Sequence, residues 1–268
     1  MRCSTTVCLV DRLNRGPWIY WHDLDAACND TRAAGLDGIE LFTEGPDQIP
    51  VETIKETVAR HELTVSAVGT GAGKVIHGLT LTAPDLAERA RASAFVTEMI
   101  NFGATLGAPA IIGSMQGFVG KERTRDEAIA MLRDALGPLG SHAAEQGTFL
   151  IYEPLNRYES DLLNTQAAAA ELLDGITGVR TLADLFHMNI EEVDLAESIR
   201  THADLIGHVH LADSNRRPAG DGHSPLAEAG RALQEIGYEG WVSAEAFPWP
   251  DSATAARTTA AAFQRWFT

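Results

Sequence analysis

Four stretches of the sequence place ionisable residues directly after apolar runs. FLIYEPLNRYE delivers Glu153, TLADLFHMN delivers Asp184, LIGHVHLADSNR delivers His208 and His210, and GWVSAEAF delivers Glu245. A carboxylate at the end of a buried run is costly unless it is paired or bound to a metal. His208 and His210 stand two apart on a predicted strand and so share one face; His210, nearer the strand end, is the better candidate ligand. Taken singly, Glu153 reads equally as a strand-end ion pair, Asp184 as a helix cap and His210 as a satisfied core histidine. Together, three carboxylates and an imidazole form a hard, oxygen-rich set. Such a set suits one divalent ion, Mn, Mg or Co, better than a structural zinc site, although zinc remains compatible.

Residues so far apart in sequence meet only if a scaffold gathers the strand ends. Runs near TTVCLV, LDGIELF, LTVSAVG, APAIIGS, GTFLIYE, VRTLADL, LIGHVHLAD and GWVSAEAF read as strands buried on both faces. Helix-like segments alternate with them at 21–34, 50–62, 84–106, 122–146, 165–175, 193–203, 225–236 and 252–266. Eight such units in 268 residues average about 33 each, close to one βα repeat, so a single-domain (β/α)8 TIM barrel over 1–268 is expected. In that fold, chemistry gathers at the C-terminal ends of the strands, where these four residues fall. Pro50, Pro84 and Pro225 suit first helical turns, Asn164 a helix N-cap, and Gly35, Gly107, Gly147 and Gly237 helix stops. Pro138 predicts a kink or break in the fourth helix.

The bulk numbers narrow the partners. A formal net charge of -16 repels nucleic-acid phosphates and anionic membranes at long range and favours small neutral or metal-bridged substrates. Three cysteines, Cys3, Cys8 and Cys28, with no C-x-x-C pair, argue against a disulfide framework. The opening MRCSTTVCLVDRLNRG has no signal-peptide pattern and no run reaches membrane-spanning length, so a cytoplasmic protein is expected.

On the motifs EPLNRYE at 153–159, DLFHMN at 184–189, HVHLADSNR at 208–216 and SAE at 243–245, the chain resembles the sugar phosphate isomerase/epimerase superfamily. These are xylose isomerase-like barrels that include the D-tagatose and D-psicose 3-epimerases and hydroxypyruvate isomerase. The resemblance implies that Glu153, Asp184, His210 and Glu245 bind one metal and that Glu153 and Glu245 also exchange protons with the substrate. It implies substrate contacts for Glu159, His187 and Arg216, whose spacings E-x5-E, D-x2-H and H-x5-R are all present. The implied reaction is isomerisation or epimerisation of a sugar or sugar phosphate by proton abstraction next to a carbonyl, through a metal-stabilised enediolate. Homodimers or homotetramers are implied as well.

Two other activities share this superfamily. A metal-dependent dehydratase of an inosose or hydroxy-keto acid starts with the same proton abstraction. An abasic-site endonuclease (endonuclease IV-like phosphodiesterase) would use a D-x-H pair such as Asp221 and His223, but SAVGTG and IIGSMQG lack the extra histidines of a three-zinc cluster. Smaller signals have plainer readings. GTGAGKV at 69–75 lacks the residues of a phosphate-binding Walker loop and reads as a flexible mouth loop, with Lys74 a candidate neighbour of a substrate phosphate. Glu40 and Glu44, placed after the second strand, are candidate substrate contacts or, more simply, solvated loop residues or ion pairs. Trp18, Tyr20, Trp21 and Phe118 could wall a sugar face or pack in the core.

Overall fold

The computed structural model describes residues 1–268. Its strands are β1 (Arg2–Cys8), β2 (Tyr20–Trp21), β3 (Gly38–Phe42), β4 (Thr64–Gly69), β5 (Ala110–Ile112), β6 (Leu150–Tyr152), β7 (Val179–Asp184), β8 (Ile206–His210) and β9 (Trp241–Ala244). All pair in parallel, in the order β2-β1-β3-β4-β5-β6-β7-β8-β9, and a β1–β9 pairing closes the cylinder. β2 is a two-residue strand outside that ring, pairing with β1 through Val7 and Cys8. The eight remaining strands and the helices between them form the expected (β/α)8 TIM barrel.

The helices are α1 (Leu24–Ala33), α2 (Val51–Arg60), α3 (Ala72–Val75), α4 (Leu86–Thr105), α5 (Arg125–Glu145), α6 (Gln166–Leu173), α7 (Leu185–Glu191), α8 (Leu195–Thr201), α9 (Leu226–Glu235) and α10 (Ser252–Trp266). Side-chain caps start most of them: Asp23, Asp85, Thr124, Thr165, Asp194 and Asp251 each accept a first-turn backbone N–H. Gly35, Gly107, Gly147 and Gly237 end helices at positive φ between 67° and 80°, where other residues are strained. No helix is long and apolar enough to cross a membrane.

Several local expectations change. Pro138 does not break its helix: α5 runs unbroken, because Leu132, Leu136, Leu139 and Ala143 bury one face on either side of the missing N–H. Asn164 is not the cap of α6. Thr165 takes that role, while Asn164 Nδ2 ties the preceding loop by donating to Leu155 O at 2.6 Å and Ser160 O at 2.9 Å. Pro50 and Pro225 occupy the cap positions themselves, one residue before their first turns, and Pro84 precedes the cap Asp85, two residues before its own. The segment expected as one helix at 193–203 is preceded by α7, which starts at once after β7. The glycine-rich mouth segment contains α3.

The main apolar core lies between strands and helices, with Ile39, Leu41, Val68, Ile112 and Leu150 against Ile54, Val96, Met99 and Leu136. Inside the cylinder only Ala67, Ile111, Ile151 and Leu182 form a small apolar cluster. Much of the remaining interior is polar: Ser4 donates to Ser66 at 2.9 Å, and Glu40, His208 and His210 are buried. This polar column leads to the C-terminal mouth.

Candidate active site

Each of the four candidate ligands sits where a strand ends. Glu153 follows β6 and is held in register by its N–H to Ile112 O at 2.9 Å. Asp184 is the last residue of β7 and also the N-cap of α7. Its Oδ1 accepts from Phe186 N at 2.8 Å and His187 N at 2.9 Å, which leaves Oδ2 free to face inward. His210 ends β8, and Glu245 follows β9. His210 Nδ1 lies 3.4 Å from Glu153 Oε1, 3.5 Å from Asp184 Oδ2 and 3.5 Å from Glu245 Oε2. The four ligand atoms all fall within 4.8 Å of one another.

Three of those atoms, Glu153 Oε1, Asp184 Oδ2 and His210 Nδ1, are buried without a hydrogen-bond partner. Buried polar atoms without partners are rare because each costs desolvation energy, of order 1–3 kcal/mol and more when charged. Three converging on one point fit a shared cation, and the donor chemistry is that of a hard divalent metal.

Behind His210 stands Glu40, from the middle of β3. It accepts from His208 Nε2 at 2.8 Å and from His210 Nε2 at 3.1 Å. Fixing Nε2–H on His210 leaves Nδ1 as the atom aimed at the cluster, the usual arrangement behind a metal-binding imidazole. Burial opposes ionisation of Glu40, but the His210 charge and the two imidazole hydrogen bonds outweigh it and hold the carboxyl well below its ordinary range. Asp184 is likewise held low: His187, Arg216 and His210 overcome its burial. Glu153 goes the other way, raised by burial and by the neighbouring Glu245 against the pull of His210 and His187. For His210, burial is outweighed by Glu40 and Glu245, which raise it. His208 is lowered, chiefly by burial.

The three expected substrate contacts share one network. His187 is buried; its Nε2 lies 3.2 Å from Arg216 Nη1 and its Nδ1 2.7 Å from Asn156 Nδ2. Asn156 also donates to Glu159 Oε1 at 2.9 Å, so Glu159 stands at the solvent edge of the same group. Arg216 is buried, donates to Glu245 and lies over the Phe186 ring at 4.5 Å. Burial disfavours its charge, but Glu245 and Asp184 raise it further above its ordinary value. Its backbone has φ 58°, uncommon for a side-chain-bearing residue. Asp213 pins that loop: it is 2% exposed and accepts from Ser214 N at 2.7 Å, Gly220 N at 2.8 Å and Ser224 N at 2.9 Å.

A cavity of about 170 Å³ opens beside these groups, bordered by Trp18, Phe42, Thr70, Ser114 and Leu155 and by Glu40, Glu153, Glu159, His187, His210, Arg216 and Glu245. Trp18 packs against Phe42 with ring centroids 4.5 Å apart. Gly113 is part of the construction, because a Cβ there would collide with Glu153 Oε2.

Sequence reasoning read Glu40 only as a substrate contact, a solvated loop residue or an ion pair, ranked His208 behind His210, and assigned no role to Asn156 or Gly113. The period-2 alternation of GIELF, which turns Glu40 inward, was the available signal for the first; nothing local marks Gly113. Of the smaller candidates, Trp18 lines the cavity, Glu44 pairs with Arg12, and Lys74 lies over the Phe118 ring at 4.0 Å. Asp221 and His223 are exposed and belong to neither cluster of potential ligands.

Comparison with known proteins agrees with this architecture. Residues 28–265 match the model of the xylose isomerase-like TIM barrel. The chain belongs to that family. A D-psicose 3-epimerase of Agrobacterium fabrum is 33% identical over 222 residues, 80% of this chain and 75% of the relative. A D-psicose 3-epimerase of Enterocloster bolteae is 41% identical over 129 residues, where the match spans 47% of this chain and 42% of the relative. The crystal structure of D-psicose 3-epimerase with D-tagatose from Clostridium cellulolyticum H10 superposes with a TM-score of 0.81 at 22% identity, covering 100% of this chain and 99% of that one; it supports the fold. The sequence relatives are named epimerases, which are isomerases, and the likeness does not favour a dehydratase.

Proposed function

We propose that the chain is a divalent-metal-dependent epimerase of small unphosphorylated ketoses, with Glu153, Asp184, His210 and Glu245 as ligands and Mn, Mg or Co as the ion. The observation that carries this reading is the convergence of three buried, unpartnered ligand atoms and Glu245 beside a cavity. The names of the sequence relatives support a ketose as the substrate class. So does the cavity's charge. No lysine borders it, and its one guanidinium, Arg216, is engaged by Glu245, so the chain offers no free basic side chain there for a substrate phosphate.

When bound, the ion supplies a Lewis acid next to the substrate carbonyl. The chain's own residues then divide the proton work. Glu153 and Glu245 enter from β6 and β9; one takes the proton from the carbon beside the carbonyl, and the other returns one to the opposite face. Arg216 and His187 hold substrate oxygens and offset the charge that develops, braced by Phe186, Asp213 and Asn156. Glu159 closes the solvent side.

Exchange from deuterated water into the carbon next to the carbonyl, followed over a panel of ketoses with Mn, Mg or Co, tests the reaction. We expect metal-dependent exchange with epimer formation, and a loss of about 10²–10⁴ in turnover for Glu153→Gln or Glu245→Gln that still bind metal. Full turnover in either variant would remove its proton-transfer role, and a dehydrated product would replace epimerisation with water loss. Location in the cytoplasm fits three buried, unpaired cysteines. Assembly into dimers or tetramers, with exposed Tyr158, Phe247 and Trp249 as apolar surface to cover, is tested by sedimentation.

A further inference from the structure

The opposite end of the barrel holds a second cavity, of about 430 Å³, at the N-terminal ends of the strands. Arg2, Arg180, His208, Phe149, Trp241 and Ser66 are among the residues that border it. The Arg2 guanidinium sits over the Trp241 ring at 4.0 Å and that of Arg180 over Phe149 at 4.7 Å. Stacking fixes each guanidinium while leaving its N–H edge free for an anion. Two glycines make room for this arrangement. A Cβ on Gly207 would come within 2.7 Å of the Phe149 ring and 2.8 Å of the Arg180 side chain, and one on Gly38 within 2.7 Å of the Trp241 ring. Glu239 borders the cavity too, one carboxylate against two guanidiniums.

The floor of the cavity specifies more than charge. His208 is 1% exposed and borders it; Nε2 lies 2.8 Å from Glu40, while Nδ1 is buried with no partner. With Nε2–H committed to a carboxylate, Nδ1 presents a lone pair and calls for a hydrogen-bond donor. A ligand that satisfies all three groups is an oxyanion that keeps one O–H. Inorganic phosphate near neutral pH is such an ion. Sulfate, of similar size and charge, has no O–H, and a phosphate monoester loses its own above a second pKa of about 6.

We propose that this end of the barrel binds inorganic phosphate, its oxygens on Arg2 and Arg180 and its O–H donated to His208 Nδ1. The site is independent of the epimerase reading, and Arg180 has no part in the carboxylate cluster at the other end. Glu40 nevertheless joins His208 to His210, so the two sites are separated by two hydrogen bonds.

The test is calorimetric titration of the intact, Mg-loaded chain at pH 7.5 with phosphate, sulfate and a phosphate monoester, repeated on Arg180→Ala, Arg180→Lys and Arg2→Ala. Phosphate should bind the wild type, and each alanine variant should weaken it by about 10- to 100-fold, the loss expected for a charge-assisted hydrogen bond. Arg180→Lys should recover part of the affinity, because it keeps the charge without the fork. Sulfate and the monoester should bind at least about tenfold more weakly than phosphate, since neither offers the O–H. Ketose turnover should be unchanged in Arg180→Ala, with circular dichroism confirming the fold. Absence of phosphate binding at millimolar concentration, equal binding of sulfate, or affinity unaffected by Arg180→Ala would each overturn the proposal.

Discussion

The two halves of the barrel wall contribute different things to its mouth. Strands β6 to β9 supply the long reactive side chains: Glu153, Asp184, His210 and Glu245, with His187 and Arg216 in the loops behind them. Around β1 to β5 the cavity is bordered largely by small groups and rings: Thr6, Gly69, Thr70, Gly113, Ser114, Trp18 and Phe42. Converging carboxylates need space opposite them, and the first half provides it. The exception is Glu40, the one charged side chain that this half sends inward, which meets two imidazoles of the second half. Behind the ligands the halves therefore meet through one buried carboxylate, and that junction is where the division can be tested.

The largest effect is expected from Glu40→Leu. Removing one partner of a buried charged group costs about 3–5 kcal/mol, read by chemical denaturation. Metal affinity should fall by about 10–100-fold, because the ring of His210 is no longer held. Glu40→Gln, which keeps an acceptor for one imidazole, should recover part of both; a wild-type metal affinity in Glu40→Leu would show that the first half is mere filling. Next comes Gly113→Ala. Its methyl group displaces the Glu153 carboxylate, and a misplacement of about 1 Å costs roughly 10² in rate, so kcat should drop while the unfolding transition stays cooperative.

Asp213→Asn probes the second half through the loop that carries Arg216. Burial raises the Asp213 carboxyl, but hydrogen bonds from Ser224, Ser214 and Gly220 outweigh it and hold the group below its ordinary 3.8. A depressed folded value means that the ionised group stabilises the fold above about pH 3.8, and this contribution is lost as pH falls through the folded value. The variant should lose about 1.5–3 kcal/mol near neutral pH and flatten the acid limb of the stability profile. An unchanged acid limb would assign the loop's order to other contacts. The smallest effect belongs to Trp18→Ala in the first half. Loss of an aromatic wall should raise KM about 2- to 10-fold with kcat nearly intact, whereas an equal fall in kcat would place Trp18 among the reacting groups.

Legibility in the sequence follows the same division. An apolar run ending in an acid or imidazole marked Glu153, Asp184, His210 and Glu245 as strand-end residues, because burial pattern and strand direction are local properties. The helix-stopping glycines 35, 107, 147 and 237 were readable for the same reason: left-handed backbone is a property of a single residue. Glu40 read as a substrate contact, a loop acid or an ion pair, and its buried role was not legible, since its partners lie 168 and 170 residues away. Pro138 does not end its helix because the segment is held by long-range burial as well as by its own hydrogen bonds.

The sequence by itself determined the alternation of strand and helix, the family motifs and the end of each strand to which the chemistry belongs. Closure of the cylinder decided the rest: which groups meet Asp184 Oδ2, which nitrogen of His210 remains free, and why residue 113 has no side chain. Those choices depend on the angle at which distant strands meet around a common axis, and that angle is fixed only when β1 pairs with β9.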